Sequence, residues 1–377
     1  MLTPSQFDRL LTAVVDLYEA FTTTIVSDIA RRLMKFGGVT STAAWQMQRL
    51  LESGAVYDQT LHALSEATGM AEADILAAFR AAGVESLRFD DAIYLAAGMQ
   101  PLPLNLSPGM QDVLLAGLRK TMGTVRNLTM TTAISAQDIF VSALDMAYMQ
   151  VTTGTMGYVQ AIRAQVKDLA RRGVHVIDYR GSRDRVDVAV RRAVLTGVAQ
   201  TTGNLQIQRV REVGTGLLAT SAHIGARPTH LVWQGRVFSV VGSTPQYPNF
   251  VDETGFGKVD GLCGINCRHS FYPFYPGISE PAYSKAVLHE YSETTVMYNK
   301  QPMPMYDATQ KQRALEREIR AVKREAAALG AAGLENTEEQ ARVRELQAIM
   351  RDFIRQTGLY RQPEREGGRV ETVKGDM

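Results

Sequence analysis

The first forty residues carry the clearest hydrophobic periodicity of the chain. Apolar side chains recur at three- and four-residue spacing from Phe7 to Leu33, the pattern of one buried face of an α-helix. Thr3-Pro4-Ser5-Gln6 fits a capping box with proline in the first turn, and Gly37-Gly38 supplies a stop. The pattern predicts a long amphipathic helix of about eight or nine turns.

Shorter helical patterns follow, and together they predict an all-helical array. The runs Thr42 to Glu52, Val56 to Ala67 and Ala71 to Ala82 each end at a glycine or a small polar turn. Ser107-Pro108 is then expected to cap a further helix. We interpret residues 1–130 as a helical docking region, because helical arrays commonly present surfaces to partner proteins.

The pattern stays helical from residue 134 to residue 213 but becomes basic. Between Ala161 and Glu212 there are eleven Lys or Arg residues and five acidic ones. Basic helices can lie against phosphates, so this region is a candidate nucleic-acid surface. The alternative is a solvated face whose charges pair at i,i+4 spacing, as Asp187 could with Arg191. The candidate nucleic-acid contacts are Arg171, Arg172, Arg191 and Arg192.

Beyond Gly214 the period changes from helical to strand-like. Leu231-Val232-Trp233 and the run from Arg236 to Val241 flank Gln234-Gly235, which predicts a β-hairpin with glycine in its turn. Prolines and glycines then punctuate a long irregular loop. The stretch from Leu217 to Tyr275 is therefore predicted to be a small α+β module with much loop.

Charged amphipathic helices are predicted at the C-terminal end, within residues 301–360. A glycine-containing break at Gly330 and Gly333 separates two runs, each with a narrow apolar stripe suited to pairing with another helix. The stripe positions are Leu315, Ile319, Val322 and Ala326 in the first run, and Val343, Leu346, Ile349, Met350 and Phe353 in the second. The tail, residues 361–377, is predicted to be disordered.

Composition narrows the class of protein. The chain has 377 residues, of which 45% are hydrophobic and 21% charged, as in ordinary globular proteins. A net charge of +2 does not mark the whole chain as a nucleic-acid binder. No apolar run reaches transmembrane length and the N-terminus lacks signal-peptide features, so we expect a soluble protein made in a cytoplasm. The predicted fold is mainly α, with a helical region over 1–130 and a central α+β module within 131–300.

The central module contains five side chains that can bind a metal ion. Cys263 and Cys267 are the two cysteines of the chain, and His269 follows them on one glycine-flanked turn. His223 and His230 lie about thirty to forty residues upstream. Zinc prefers four Cys or His ligands, and two thiols with three residues between them are compatible with a knuckle. A structural Zn²⁺ site is one interpretation; two reduced cysteines with hydrogen-bonded histidines at a turn is the other.

An aromatic and proline-rich segment follows that turn directly. Its prolines restrain the backbone and its rings offer contact area at low entropic cost, so the segment can serve as a partner contact. The alternative is that the rings cap the core of the module. The candidate contact residues are Phe271, Tyr272, Phe274 and Tyr275.

Signatures of catalysis are absent from the sequence. There is no phosphate-binding glycine loop, no serine nucleophile elbow and no zinc-protease helix motif. A Cys267 nucleophile with a histidine base is conceivable but disfavoured, because cysteines beside prolines and aromatics are more often packed. A metal-dependent nuclease or toxin effector is the stronger enzymatic alternative, because a metal and basic helices would coexist. The interpretation we favour is not an enzyme.

Two long segments resemble the phage minor capsid protein 2 family, which is related to the Mu-F-like head morphogenesis proteins. The first runs from Thr220 to His230 and continues through Trp233-Gln234-Gly235. The second runs from Cys263 to Gly277 and includes Cys267-Arg268-His269. The charged helix start from Gln310 to Arg317 is also similar. The resemblance identifies residues 131–300 as a Mu-F-like core module.

The resemblance implies a virion component that lies inside the head near the portal and is made in the cytoplasm of the bacterial host. It implies a role in head assembly, extending to DNA packaging or ejection, without enzymatic activity. The implied partners are the phage portal protein, the major capsid or scaffold protein, and packaged double-stranded DNA, with no membrane in the assembled head. The resemblance does not decide whether zinc is bound.

Overall fold

The computed structural model describes Gln6 and residues 12–38, 42–177, 183–214 and 216–367. Over these residues the protein is mainly helical, which confirms the predicted fold class. The helices are, in chain order, α1 (Thr12–Met34), α2 (Thr42–Ala96), α3 (Pro108–Thr152), α4 (Tyr158–Arg172), α5 (Val186–Val213), α6 (Phe250–Thr254), α7 (Lys285–Glu293), α8 (Met305–Ala331) and α9 (Thr337–Thr357). Among the described helices, none combines the length and apolar character of a membrane span.

Short 3-10 helices and strands connect these helices. The 3-10 helices are Lys35–Gly38, Leu104–Leu106, Pro228–His230 and Pro363–Glu366. The strands are β1 (His175–Ile177), β2 (Arg183–Arg185), β3 (Leu217–Thr220), β4 (Val237–Ser239), β5 (Phe271–Pro273), β6 (Thr295–Tyr298) and β7 (Gln301–Pro304). β1 pairs with β2 and β6 with β7, whereas β3 lies between β4 and β5 in a three-stranded antiparallel sheet.

Contacts within the chain divide it into two compact units. Unit 1 comprises Met1–Ala13, Glu72–Thr124 and Arg191–Thr309. Unit 2 comprises Val14–Ala71, Val125–Val190 and Gln310–Met377. Each unit is built from three separate runs of chain, and the sequence domains predicted over 1–130, 131–300 and 301–360 stay predictions.

The long N-terminal helix is confirmed over Thr12–Met34, and its predicted cap falls largely outside the described residues. Its buried positions follow the predicted stripe, including Tyr18, Ile25 and Leu33. The helix ends in the 3-10 turn Lys35–Gly38, which contains the predicted glycine stop.

The three short helices predicted between residues 42 and 82 are wrong, because the structure has one helix from Thr42 to Ala96. Gly54 and Gly69 lie inside this helix, and a Cβ added at either position would meet no other part of the protein within 4 Å. A glycine in a helix interior costs about 1 kcal/mol relative to alanine. The buried positions continue past these glycines through Leu64 and Ile75, so packing offsets that cost.

In unit 1, helices α2, α3 and α5 share an apolar core. Leu87, Met110 and Leu205, one from each helix, form a buried cluster. The predicted cap of α3 is confirmed: Oγ of Ser107 accepts a hydrogen bond from the backbone N–H of Met110 at 3.2 Å. The same hydroxyl donates to the carboxylate of Glu212 on α5 at 2.7 Å, so the cap also joins two helices of the unit.

In unit 2, α8 and α9 pack along the stripes predicted from the sequence. Ile319 and Val322 of α8 form a buried cluster with Leu346 and Met350 of α9. Part of the tail predicted to be disordered is ordered, since Pro363–Glu366 forms a 3-10 helix. The Arg361 guanidinium donates two hydrogen bonds to the Glu366 carboxylate, at 2.6 and 2.7 Å, and holds this segment. The remaining tail, 368–377, lies outside the described residues.

The small α+β module predicted over Leu217–Tyr275 is present, but its predicted hairpin is wrong. Residues 231–235 form turns after the 3-10 helix Pro228–His230 rather than a strand. β4 pairs instead with β3, with Leu218 opposite Phe238. The local alternation of apolar and polar residues could not select this distant pairing, because the partner strand lies before the turn segment in the chain.

Candidate metal centre

The three-stranded sheet brings two distant segments of unit 1 together. β3 runs antiparallel to β5, with Thr220 opposite Phe271. The residues that follow β3 and those that precede β5 therefore meet at the same end of the sheet. The backbone N–H of Ser221 continues this pairing with a hydrogen bond to the carbonyl of Ser270 at 2.8 Å. His223 and the turn containing Cys267 and His269 are thereby brought to one place.

A 3-10 turn places His230 beside the two segments joined by β3 and β5. Pro228 begins this turn, and the backbone N–H of His230 closes it on the carbonyl of Arg227 at 2.8 Å. The chain then turns again through Trp233, whose ring centroid lies 4.7 Å from that of His230 and 4.7 Å from that of His269. The buried indole forms one wall beside both imidazoles and limits the access of water.

The loop before β5 is a tight knuckle that requires glycine. A Cβ on Gly264 would lie 2.3 Å from the carbonyl oxygen of Lys258 and 2.6 Å from that of Val259. Cys263 and Asn266 adopt left-handed backbone conformations on either side, with φ of 60° and 58°. The backbone N–H of Cys267 bonds to the carbonyl of Gly264 at 3.2 Å. This backbone path presents the Cys267 side chain to the histidines.

Three of the five predicted metal ligands come together. The ligand atoms of His230, Cys267 and His269 all lie within 4.8 Å of one another. Sγ of Cys267 is 4.0 Å from Nδ1 of His230 and 3.7 Å from Nδ1 of His269. All three side chains are buried, with exposed fractions of 2%, 8% and 1% in chain order.

Hydrogen bonds on the far side of each ring orient the two imidazoles. Nε2 of His230 donates to the carbonyl oxygen of Asp260 at 2.8 Å. Nε2 of His269 lies 3.0 Å from Oε1 of Gln234, and that oxygen also accepts the backbone N–H of His223. Because both acceptors lack a proton to donate, each Nε2 carries the hydrogen and each Nδ1 presents a lone pair to Cys267.

Burial controls the charge of these groups. It lowers the pKa of His230, and it lowers the pKa of His269 well below the ordinary value, with the neighbouring histidines His223 and His230 acting in the same direction. Neutral imidazole is the form that binds metals. Burial also raises the pKa of the Cys267 thiol, so in the absence of a cation the thiol keeps its proton and is a weak nucleophile.

The other two predicted ligands are outside this group of three. Sγ of Cys263 faces α5 and would lie 3.1 Å from a Cβ placed on Gly203. The His223 ring lies against the His269 ring, with centroids 4.3 Å apart and planes tilted by 30°. Nδ1 of His223 is 3.1 Å from the carbonyl oxygen of Ile224, whereas its Nε2 is buried without a hydrogen bond to any described residue.

Sequence reasoning missed the residues that orient the ligands. Gln234 is almost fully buried and bonds both to His269 and to the backbone of His223, but the sequence pattern assigned it to a hairpin turn. Asp260 contributes only its carbonyl oxygen, which any residue could supply. The sequence feature that could have identified Gln234 as an orienting residue is its position beside Trp233, in the segment that contains His230.

The predicted aromatic contact strip is corrected by the structure. Phe271, Tyr272 and Phe274 are buried in unit 1, and Tyr275 is half-buried. The Phe271 ring packs 4.9 Å from that of Phe250. The alternative interpretation, a cap on the core of the module, therefore describes these rings. β5 is buried on both faces, since Phe271 packs against Phe250 and Tyr272 packs against Phe89 of α2, which leaves little ring surface for a partner.

The four predicted nucleic-acid contacts are divided between the two units. In unit 2, Arg171 donates to Glu325 at 2.6 Å and Arg172 to Asp168 at 2.9 Å. Arg191 and Arg192 belong to unit 1, where both are half-buried and have interactions within the chain. Paired charges of this kind fit the solvated-face alternative, and contact with DNA stays a prediction.

Comparisons with known proteins bear on the whole chain. Residues 2–355 match the family model described as phage minor capsid protein 2. A protein of Lactococcus phage LL-H described as a structural protein is 26% identical over 238 residues, which is 60% of this chain and 61% of that protein. The chain therefore spans less than two thirds of the length of this relative. No solved structure matches the chain.

The family match includes both segments that form the candidate metal centre, since these lie between Thr220 and Gly277. It also includes the helices of both units up to Arg355. The match extends over almost the entire sequence, and the chain therefore belongs to the phage minor capsid protein 2 family.

Proposed function

We propose that this chain is a structural head protein that binds the portal protein inside the phage head and assists head assembly. The observation that supports this proposal most strongly is the family match over residues 2–355. The relative in Lactococcus phage LL-H is described as a structural protein, which agrees with a structural role. In this proposal the chain acts by binding neighbouring head proteins and catalyses no reaction.

An exposed apolar groove in unit 1 is suited to contact with the portal. It has a volume of about 930 Å³ and lies between α2 and α3. The apolar residues of the groove are Leu76, Val84, Leu87, Ala92, Leu95, Pro103, Leu104, Leu114, Leu115 and Leu118. Several are strongly exposed, including Leu95 at 60% and Leu115 at 48%, and apolar concavities of this kind commonly receive a partner helix.

The rim of the groove indicates the charge of that helix. Arg80 and Arg88 lie on its α2 side, are exposed, and form no ion pair with any described residue. Asp91, the acidic residue of the lining, is already engaged by Arg209 at 3.1 Å. An amphipathic portal helix with acidic residues beside its apolar stripe would complement this rim. We assign the groove to such a helix.

The buried group of candidate metal ligands, His230, Cys267 and His269, is better suited to a structural than to a catalytic role. A catalytic metal keeps a coordination position open to substrate. Here the three clustered ligands are almost fully buried and Trp233 covers two of the rings.

The portal contact can be tested by co-expression with the portal protein encoded by the same phage. We expect tagged portal protein to retain the full chain, and we expect Leu115→Asp to reduce the retained amount at least about tenfold. Leu50→Asp is the matched control, since Leu50 is also an exposed helical leucine, at 65%, but lies in unit 2. Circular dichroism should show that both variants are folded.

The same co-expression experiment is repeated with tagged major capsid protein as a second bait. Retention of the wild-type chain by the capsid protein and not by the portal would overturn the portal assignment. If the portal protein retains Leu115→Asp and wild type equally, the portal contact stands but the groove is not part of it.

A further inference from the structure

We propose that His230, Cys267 and His269 bind one zinc ion through Nδ1, Sγ and Nδ1, and that this ion staples the small sheet module of unit 1. The site is independent of the proposed portal contact. Its basis is the convergence of three ligand atoms that can donate electron pairs to a cation in a buried space, described above.

The two sulfur-to-nitrogen separations are close to those around a tetrahedral zinc ion. Zinc binds histidine nitrogen at about 2.0–2.1 Å and thiolate sulfur at about 2.3 Å, so N and S ligands of one ion lie about 3.6 Å apart. The two sulfur-to-nitrogen distances here are 3.7 and 4.0 Å. Contraction by a few tenths of an ångström would bring both into range.

The surrounding hydrogen bonds are those that a metal site requires. Histidine ligands of metals usually donate their second ring N–H to a carbonyl or carboxylate oxygen, which sets the tautomer and the ring orientation. The Asp260 carbonyl and the Gln234 amide oxygen play this part for His230 and His269. Without a cation, two imidazole lone pairs would face a single thiol proton in the interior, and one of them would lack a donor.

The module needs such a cross-link because its elements of regular secondary structure are short. The sheet consists of strands of three or four residues, and the metal-binding turns lie in loops rich in glycine. A zinc ion joins the segment after β3 to the segment before β5 and so replaces part of the missing core. On binding, Cys267 releases its thiol proton to solvent and the resulting thiolate forms the zinc–sulfur bond.

His223 is the residue placed to complete the tetrahedron. Its Nε2 is buried without a hydrogen-bond partner among the described residues, and its ring lies against that of His269. It is outside the group of atoms within 4.8 Å, so binding through Nε2 requires the ring to move toward the ion. Cys263 is excluded, because its thiol packs against Gly203 on the side of α5.

The test is metal analysis of the full-length chain purified without chelator, with X-ray absorption of the bound metal. We expect about one zinc per chain and a first shell with one sulfur and three nitrogen ligands. Replacement by cobalt should give a thiolate charge-transfer band. The Cys267→Ser variant should lose the band and bind zinc at least about a hundredfold more weakly, whereas Cys263→Ser should retain both.

The absorption measurement uses the wild-type protein, so the proposal can be judged even if the Cys267→Ser variant fails to fold. A folded chain that takes up no zinc when the metal is added would overturn it. A first shell with two sulfurs would also overturn the assignment, because it would require Cys263.

Discussion

Gly117 of α3 packs directly against Thr201 of α5 in unit 1. A Cβ on Gly117 would lie 2.0 Å from Oγ1 of Thr201. The contact has a reciprocal partner on the same two helices, since a Cβ on Gly197 would lie 2.1 Å from Oγ1 of Thr121. Each glycine thus receives a threonine of the opposite helix, which allows the two backbones to approach closely.

We predict that Gly117→Ala and Gly197→Ala each lower the free energy of unfolding by about 1–3 kcal/mol, because the added methyl group forces the helices apart. Gly123→Ala is the control on the same helix. A Cβ added at Gly123 would meet no other part of the protein within 4 Å, so the higher helix propensity of alanine should stabilise the protein by about 0.5–1 kcal/mol. Urea unfolding measures all three. Equal stability of the Gly117 and Gly123 variants would contradict the close crossing.

Asp90 should make the stability of the protein depend on pH. It is buried on α2, and its carboxylate accepts a hydrogen bond from the Gln206 amide at 2.9 Å. Burial raises the pKa of Asp90 to about 8. The unfolded chain releases this proton near pH 4 (about 3.9), so between about pH 4 and 8 the folded state binds one more proton. This contribution to stability therefore decreases by about 1.4 kcal/mol per pH unit as pH rises through that range.

Asp90→Asn should remove this dependence, because the amide resembles the protonated acid and carries no charge. We expect the advantage of the variant over wild type to grow between pH 5 and pH 8 and to level off above. Asp168→Asn, which changes an exposed carboxylate, is the control. Free energies from urea unfolding at several pH values give the comparison. A constant difference between Asp90→Asn and wild type would show that Asp90 is ionised throughout.

A buried ion pair in unit 2 should be essential for stability. Nη1 of Arg324 donates to Glu19 at 2.7 Å, and the Arg324 side chain is only 2% exposed. We predict that Arg324→Met costs about 1–3 kcal/mol, because Glu19 loses its closest cation and keeps only the longer contacts to Arg185 at 3.7 Å and Arg320 at 3.8 Å. The exposed pair of Arg342 and Glu345, also at 2.7 Å, is the control, and Arg342→Met should cost less than about 1 kcal/mol.

The double variant Glu19→Gln with Arg324→Met separates charge burial from packing. If the lost partner is the cause, the double variant should be more stable than Arg324→Met alone. Thermal unfolding of wild type, Glu19→Gln, Arg324→Met and the double variant completes this double-mutant cycle. Additive losses would instead assign the effect to packing.

If the proposed zinc ion is bound, its removal should destabilise the module around His230. We expect a strong chelator to lower the melting temperature of the wild-type protein and to leave that of Cys267→Ser unchanged, because the variant has no ion to lose. His223→Ala should weaken zinc binding by at least about tenfold, as measured by competition with a chromophoric chelator. His289→Ala, which changes an exposed histidine of the same unit, should bind zinc like wild type. Unchanged affinity in His223→Ala would remove His223 from the site.

Several features followed from the sequence because their causes are local or periodic. The buried stripe of α1, the paired stripes of α8 and α9, and the Ser107 cap depend on spacing within one segment, and the structure has all of them. The loop chemistry around Cys267 and His269 was visible for the same reason. The resemblance to minor capsid proteins rested on long motifs, and the family match bears it out.

Errors arose where a distant contact outweighed a local signal. Glycines that normally end helices are carried inside α2 by the packing of its buried face. The apolar segment 231–233 resembles a strand, but in the structure β3 has β4 and β5 as its two neighbours and residues 231–233 form a turn. The rings of Phe271 and Tyr272 looked like contact surface and are core, because the small sheet packs them inward.

The sequence by itself determined that five metal-capable side chains lie in two short segments of a mainly helical phage protein. Only the tertiary structure decided which of them converge. Cys263 and Cys267 share one loop, yet the left-handed turns between them direct one thiol toward Gly203 and the other toward His230 and His269. That selection depends on the pairing of β3 with β5 and on backbone angles within the knuckle, and neither is encoded in the spacing of the ligands.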